Sequence, residues 1–97
     1  MGYRLTRAAA GDVSRIYLDS ARQFGSRQAD TYHELLEQTF RFLAENPRAA
    51  RRRPELTGNI RIHPIKSHIV IYQIEATGDV LILRVRHGHE DWADGSR

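Results

Sequence analysis

Three β-branched runs, "IRIHPI", "SHIVIYQIE" and "VLILRVRH", fill residues 60–87, separated only by a lysine and by the stretch "ATGD". Connections this short can join only antiparallel neighbours, because a parallel crossover needs about a dozen residues or more. The end of the chain is thereby committed to an antiparallel meander. In the middle run, His68, Val70, Tyr72 and Ile74 share one side while Ile69 and Ile71 fall on the other, so both faces are largely apolar. That pattern gives the run a central place in the sheet and calls for a layer of helices over one face.

The upstream half supplies that layer. Tyr3 and Leu5 alternate with Arg4 and Thr6, as in a short strand with one buried face, and Thr6 can cap a following helix. Over 8–24, Val13, Ile16, Tyr17, Ser20, Ala21 and Phe24 recur at helical spacing, with Asp12, Arg15, Asp19 and Arg22 around them as the polar side. Gly25 followed by Ser26 reads as the end of that helix and the cap of the next. A second stripe of Tyr32, Leu35, Leu36, Thr39, Phe40 and Leu43 predicts a helix over 27–45, ended by Asn46-Pro47 because proline disfavours a helical residue before it. Two amphipathic helices joined by so short a turn form an αα-hairpin. Residues 47–59 carry Arg48, Arg51, Arg52 and Arg53, with Pro54 and Gly58 as punctuation and no apolar period, the pattern of a solvated surface loop. The predicted architecture is α+β, in the order β-α-α-β-β-β, with an N-terminal strand and an αα-hairpin packed on an antiparallel sheet. A chain of 97 residues holds one such domain over 1–97.

Composition narrows the chemistry. With 40% hydrophobic and 28% charged residues the chain is too apolar to be disordered, and no uncharged run is long enough for a membrane span. It has no cysteine, so disulfides and thiolate metal sites are ruled out, and no charged-then-apolar leader is present. A cytoplasmic protein is expected. The net charge is +3, and Lys66 is the one lysine among fifteen basic residues. Such a surface suits nucleic acid, anionic lipid or an acidic protein, and charge sign alone does not choose among them.

The candidate sites lie on the meander. His87 and His89 stand at i and i+2 with Glu90 and Asp91 beside them, but a zinc site needs further paired ligands, which His63 and His68 do not supply at recognisable spacing. The simpler reading is a polar strand end, with no metal. Ser14, Ser20, Ser26, Ser67 and Ser96 lie outside any nucleophile elbow, and phosphate-loop and dinucleotide fingerprints are absent. Arg61, Lys66, Arg84, Arg86 and His87 could together face a phosphodiester, with a solvated sheet edge as the alternative. His68, in an apolar strand, is expected to be hydrogen-bonded and structural, and Arg61 to pair with a carboxylate or cap backbone carbonyls.

Taken together, these residues resemble a known family. "NIRIHPIKSHIVIYQIEATGDVLILRVRHGHEDW" is similar to the C-terminal half of ParE toxins, within the wider RelE/ParE superfamily of bacterial toxin–antitoxin systems, and Arg61, His68, Val70, Tyr72, Leu81, Leu83, Arg84, Val85, His87 and Asp91 fill the family's pattern. "YRLTRAAAGDVSRIYLDSARQFG" and "FLAENP" resemble its opening strand, first helix and second helix end. Asn59 departs from the usual glycine, and the tail "WADGSR" from the usual aliphatic ending.

The resemblance implies a non-enzymatic inhibitor of DNA gyrase that traps the cleaved DNA complex. It also implies a ParD-like antitoxin that neutralises the toxin in a hetero-oligomer and alone contacts operator DNA, with no membrane, cofactor or metal involved. On that basis Arg61, Lys66, Arg84, Arg86, His87, Asp91 and Trp92 are candidates for touching gyrase, and Arg4, Tyr17, Phe24, Tyr32, Phe42 and Arg61 for touching the antitoxin. The alternative is the RelE-like branch, which shares the fold and cuts messenger RNA on the ribosome. The scarcity of lysine and the presence of Trp92 in place of a phenol speak for the gyrase branch.

Overall fold

The computed structural model of the chain describes residues 2–56 and 58–88. A three-residue strand β1 (Tyr3–Leu5) leads into helix α1 (Arg7–Phe24), helix α2 (Ser26–Glu45) and strands β2 (Arg61–Ile65), β3 (His68–Ile74) and β4 (Val80–His87). This is the expected order. Thr6 begins α1 by accepting the Ala9 N–H on its hydroxyl at 3.0 Å, while the same hydroxyl donates to the Leu83 carbonyl at 2.7 Å. One threonine therefore caps the helix and fastens its start to the sheet.

The cap between the helices differs from the expectation. Gly25, not Ser26, takes that position: its N–H donates to the Ala21 carbonyl and its own carbonyl accepts from the Ala29 N–H. Its φ of 92° is one that a side chain would resist, so a single glycine ends α1 and begins α2, and Ser26 is already helical.

The sheet order is β1-β4-β3-β2. β2, β3 and β4 form the antiparallel meander, and β1 joins β4 in parallel through Tyr3↔Val80, Arg4↔Leu81 and Leu5↔Ile82, making the sheet mixed as a whole. β3 and β4 thus share the interior. Between them the register slips, Ile71 facing Arg84 and Tyr72 facing Ile82, which leaves Leu83 as the extra residue of a bulge whose carbonyl receives the Thr6 hydroxyl. Lys66 turns β2 into β3 with φ 53°, and Asn59 takes φ 57° beside Gly58. Asn59 is thus in the left-handed region that glycine favours and that asparagine tolerates better than most residues.

Both helices cover the same sheet face. Ala9, Val13, Leu36, Phe40 and Leu43 pack on Val70, Tyr72, Val80, Ile82 and Val85 to make the core, with Ile65 and Ala50 at its margin. Each large side chain buried there contributes roughly 1.5–3 kcal/mol. The α1 stripe diverges from its expected course in two ways. Asp12, assigned to the polar side, is 3% exposed, and Phe24, assigned to the apolar stripe, is 64% exposed. α1 has 18 residues and so spans about 27 Å. Its first half lies on β4, while its end stands clear of the sheet.

Candidate functional site

Where α1 and α2 rise off the sheet, a groove of about 680 Å³ opens between the hairpin tip and the β2–β3 turn. Ile16, Phe24, Tyr32 and Leu35 line its helical side, and Lys66, His68 and His87 its sheet side. Cross-strand pairing places His68 opposite His87, with ring centroids 5.1 Å apart, and Tyr32 Oη lies 2.7 Å from His68 Nδ1 and 3.2 Å from the Ile65 carbonyl. Burial raises the Tyr32 phenol above its ordinary value, partly offset by a hydrogen bond with Ser67, so the hydroxyl stays neutral and bridges α2 to the turn. His68 is hydrogen-bonded, as a structural histidine should be. The groove has an aromatic and aliphatic wall, with Asp19 beside it, facing a rim that carries the Lys66 ammonium.

Along the flank of the groove runs a seam between α1 and β4. Because β1 is only three residues long, β4 continues beyond it with an open edge, and Asp12 of α1 fills that gap. Its Oδ2 accepts the Val85 N–H at 3.0 Å, and its two oxygens take Arg84 Nε at 2.7 Å and Nη2 at 2.9 Å. Burial pushes the Asp12 carboxyl up, but the hydrogen bonds from Arg84 and Val85, with the charges of Arg84 and Arg86, more than offset it and hold the carboxyl below its ordinary value. Arg15 adds a looser contact at 3.4 Å. The result is a buried carboxylate in a bidentate guanidinium clamp.

A third polar junction lies at the far end of the sheet. Tyr72, fully buried on β3, donates its hydroxyl to the Pro47 carbonyl at 2.6 Å and accepts the Ala50 N–H at 3.4 Å, while Arg61 Nη1 donates to the Ala50 carbonyl at 2.7 Å. Burial raises the Tyr72 phenol above its ordinary value, against smaller opposing effects of the Ala50 bond and the Arg61 charge. Arg61 thus caps a backbone carbonyl.

The candidate target-binding residues do not form one cluster. Arg84 reaches over the open edge of β4 to Asp12 of α1, and Arg86 and His87 line a small pocket with Asp12, Arg15 and Asp19 of the same helix. Arg61, opposite Tyr72, and His87, opposite His68, are on the helix side at opposite ends, and Lys66 is in the turn. Asp91 and Trp92 lie outside the described residues, as do His89 and Glu90. Among the described residues no three His, Asp or Glu side chains gather as a metal would require.

Of the candidate antitoxin contacts, Phe24 and Tyr32 meet in the groove. Tyr17 is tied to Asp30 at 2.6 Å and stands edge-on to His33, bracing the hairpin. Phe42, 46% exposed, lies against His63 near the other end of α2, and Arg4 pairs with Glu75 at 2.6 Å on the β1 side. Asp12 and the Tyr72 hydroxyl were missed as anchors. Asp12 was signalled by spacing, since position 12 falls on the same stripe as Ala9, Val13 and Ile16.

Residues 3–92 match the family model described as the ParE toxin of the type II toxin–antitoxin system parDE. "Toxin ParE3" of Caulobacter vibrioides is 31% identical over 88 residues, which are 91% of this chain and 87% of that protein. "Toxin ParE1" of the same organism is 33% identical over 85 residues, 88% and 86% of the two chains. Among solved structures, one titled "Chromosomal ParDE TA system from P. aeruginosa" superposes with a TM-score of 0.73 at 22% identity, over 90% of this chain and 95% of that one, a likeness of fold.

Proposed function

The chain belongs to the ParE toxin family of type II toxin–antitoxin systems, and from that premise we propose that it arrests growth by trapping DNA gyrase in its cleaved DNA complex, without catalysing a reaction itself. The observation that carries this over messenger cleavage is the state of the sheet's basic groups. General acid/base cleavage of RNA needs several of them converging on one phosphodiester. Here Arg84 is held by Asp12, and Arg61 caps the Ala50 carbonyl at the opposite end of the sheet from His87, so these two arginines do not converge with it on one phosphodiester. An inhibitor that works by binding needs no such convergence.

A ParD-like antitoxin, in this reading, neutralises the toxin by laying an acidic, apolar segment along the groove. Phe24 and Leu35 offer apolar area, and Lys66 a positive charge at the opposite rim. Operator DNA is met through the antitoxin. The cytoplasm, where gyrase works, is the site of action, and no helix among the described residues is long and apolar enough to cross a membrane.

The test pairs a gyrase supercoiling and DNA-cleavage assay with a ribosome-programmed messenger cleavage assay on the purified chain. Accumulated cleaved DNA beside intact messenger is the expected result. Cut messenger with gyrase unaffected overturns the proposal in favour of RelE-like chemistry.

A further inference from the structure

The arginine-rich loop over 47–60 has no part in the reading above. It carries four arginines and one glutamate, a net of three positive charges, as large as the excess of the whole chain at +3. The loop is not a loose tether. Its first turn is clamped by buried Tyr72 through Pro47 and Ala50, and by Arg61 through Ala50. Its return is zipped to the start of β2 by the Arg53 N–H donating to the Ile60 carbonyl at 2.7 Å and by the Arg52↔Arg61 bridge. Arg52 is oriented by Asn59 at 3.2 Å, and Arg53 is paired with Glu55 at 2.6 Å. Arg48 and Arg51, on either side of the Ala50 clamp, are exposed and make no hydrogen bond or ion pair among the described residues.

We propose that this loop is a fixed cationic ridge that binds the phosphate backbone of duplex DNA. Its chemistry favours a backbone over other anionic partners. Protein interfaces close around an apolar centre, whereas the exposed residues of this loop, among those described, are arginine, alanine, proline, glutamate, glycine and asparagine. Single strands are held by aromatic stacking, and 47–60 contains no aromatic residue. What remains is guanidinium groups, which fit phosphate oxygens in a fork and read no sequence. The choice of a DNA over an RNA duplex rests on the proposed action beside gyrase-bound DNA. The ridge lies at the opposite end of α2 from the groove, so a toxin covered there by an antitoxin segment keeps it uncovered.

The experiment measures binding of the full-length chain to a labelled, arbitrary-sequence DNA duplex by fluorescence anisotropy over a salt series, without gyrase. Each phosphate contact adds roughly 0.9 to the slope of log K against log salt. The double variant Arg48→Ala/Arg51→Ala is expected to lower that slope by about two. Arg22→Ala/Arg27→Ala, with the same charge removed at the far end of the hairpin, is expected to leave it unchanged. Circular dichroism checks that both variants fold.

Equal loss in both variants, no binding by the parent chain at low salt, or tighter binding to single-stranded DNA or to an RNA duplex would each overturn the assignment. A chain that fails here yet traps cleaved DNA in the gyrase assay defeats this inference alone. One that binds DNA through the ridge yet leaves gyrase untouched defeats the target reading alone.

Discussion

The helix layer and the basic loop are fastened to the same sheet by opposite chemistry. At one seam α1 is held to β4 by a buried carboxylate, Asp12 in the fork of Arg84; at the other, the turn after α2 is held to β3 by the neutral Tyr72 hydroxyl on the backbone of Pro47 and Ala50, where Arg61 of β2 adds a bond to the Ala50 carbonyl but no carboxylate takes part. The difference follows from what each seam must satisfy. Beyond β1, β4 presents an edge donor, the Val85 N–H, which a carboxylate accepts strongly, and that carboxylate then requires a cation. The turn presents a carbonyl and an N–H together, which one hydroxyl can serve at once. A charged junction is sensitive to pH and to loss of one partner, whereas a neutral one loses only its hydrogen bonds.

The largest expected effect comes from Arg84→Ala, which leaves Asp12 buried with only the looser Arg15 contact in place of its bidentate counter-ion. Breaking a buried pair in this way costs about 3–5 kcal/mol, with the lower end apt here because the Arg84 side chain is 39% exposed. For a domain of this size each kcal/mol lowers Tm by about 4–8 °C. The pH dependence makes the test sharper. In the parent chain the Asp12 carboxyl is held below its ordinary value of 3.8, so its contribution is complete above that pH and is lost as pH falls through the folded value. Without Arg84, burial dominates and raises the carboxyl, so the variant gains stability on acidification from neutral pH. Thermal melts of the two proteins between neutral pH and pH 4 should therefore diverge; parallel profiles would remove the charge from the account of this seam.

Asp12→Ala is expected to be milder, about 2 kcal/mol, because Arg84 can return to water while Val85 is left with a buried, unpaired N–H. A cost equal to or above that of Arg84→Ala would show that the N–H, not the charge, governs the seam. Asp12 also marks the limit of what the sequence discloses. Hydrophobic period identified both helices and all three meander strands, because burying one face of each is the dominant free energy of the fold. A single carboxylate on a buried stripe reads as polar until its partner is known, and that partner stands 72 residues away. Phe24 shows the converse error, since its spacing matches the core stripe but the sheet ends before reaching it. The candidate gyrase contacts are dispersed for a related reason: Arg61 and His87 share a sheet face but stand at opposite ends of it, a separation that strand register decides and sequence spacing does not show.

At the neutral junction, Tyr72→Phe removes the hydroxyl and strands the Pro47 carbonyl and the Ala50 N–H, at an expected cost of about 1–2 kcal/mol. The phenol is raised by burial and stays protonated well past neutral pH, so this loss should be flat from pH 4 to 8. A cost that varied across that range would erase the contrast with the Asp12 seam. Because Tyr72 also helps to seat the arginine ridge, the variant separates position from charge: the same arginines on a loop that has lost one of its clamps should keep the salt slope of DNA binding and weaken its affinity.

The smallest effect on stability is expected where neither kind of fastening exists. Phe24, at the tip of the hairpin, is largely exposed and outside the core cluster, so Phe24→Ser should change stability by less than about 0.5 kcal/mol. In the proposed complex, however, the ring is covered by the antitoxin, and uncovering an aromatic of that size costs about 1.5–3 kcal/mol, a roughly tenfold or greater loss of affinity by calorimetry. A Phe24→Ser chain as loosely folded as Tyr72→Phe would make Phe24 part of the core. Unchanged stability with unchanged antitoxin affinity would move the antitoxin off the groove and onto the surfaces around Arg4 or Phe42. An exposed aromatic that the fold does not need and a partner does is what separates the open end of this hairpin from its two closed seams.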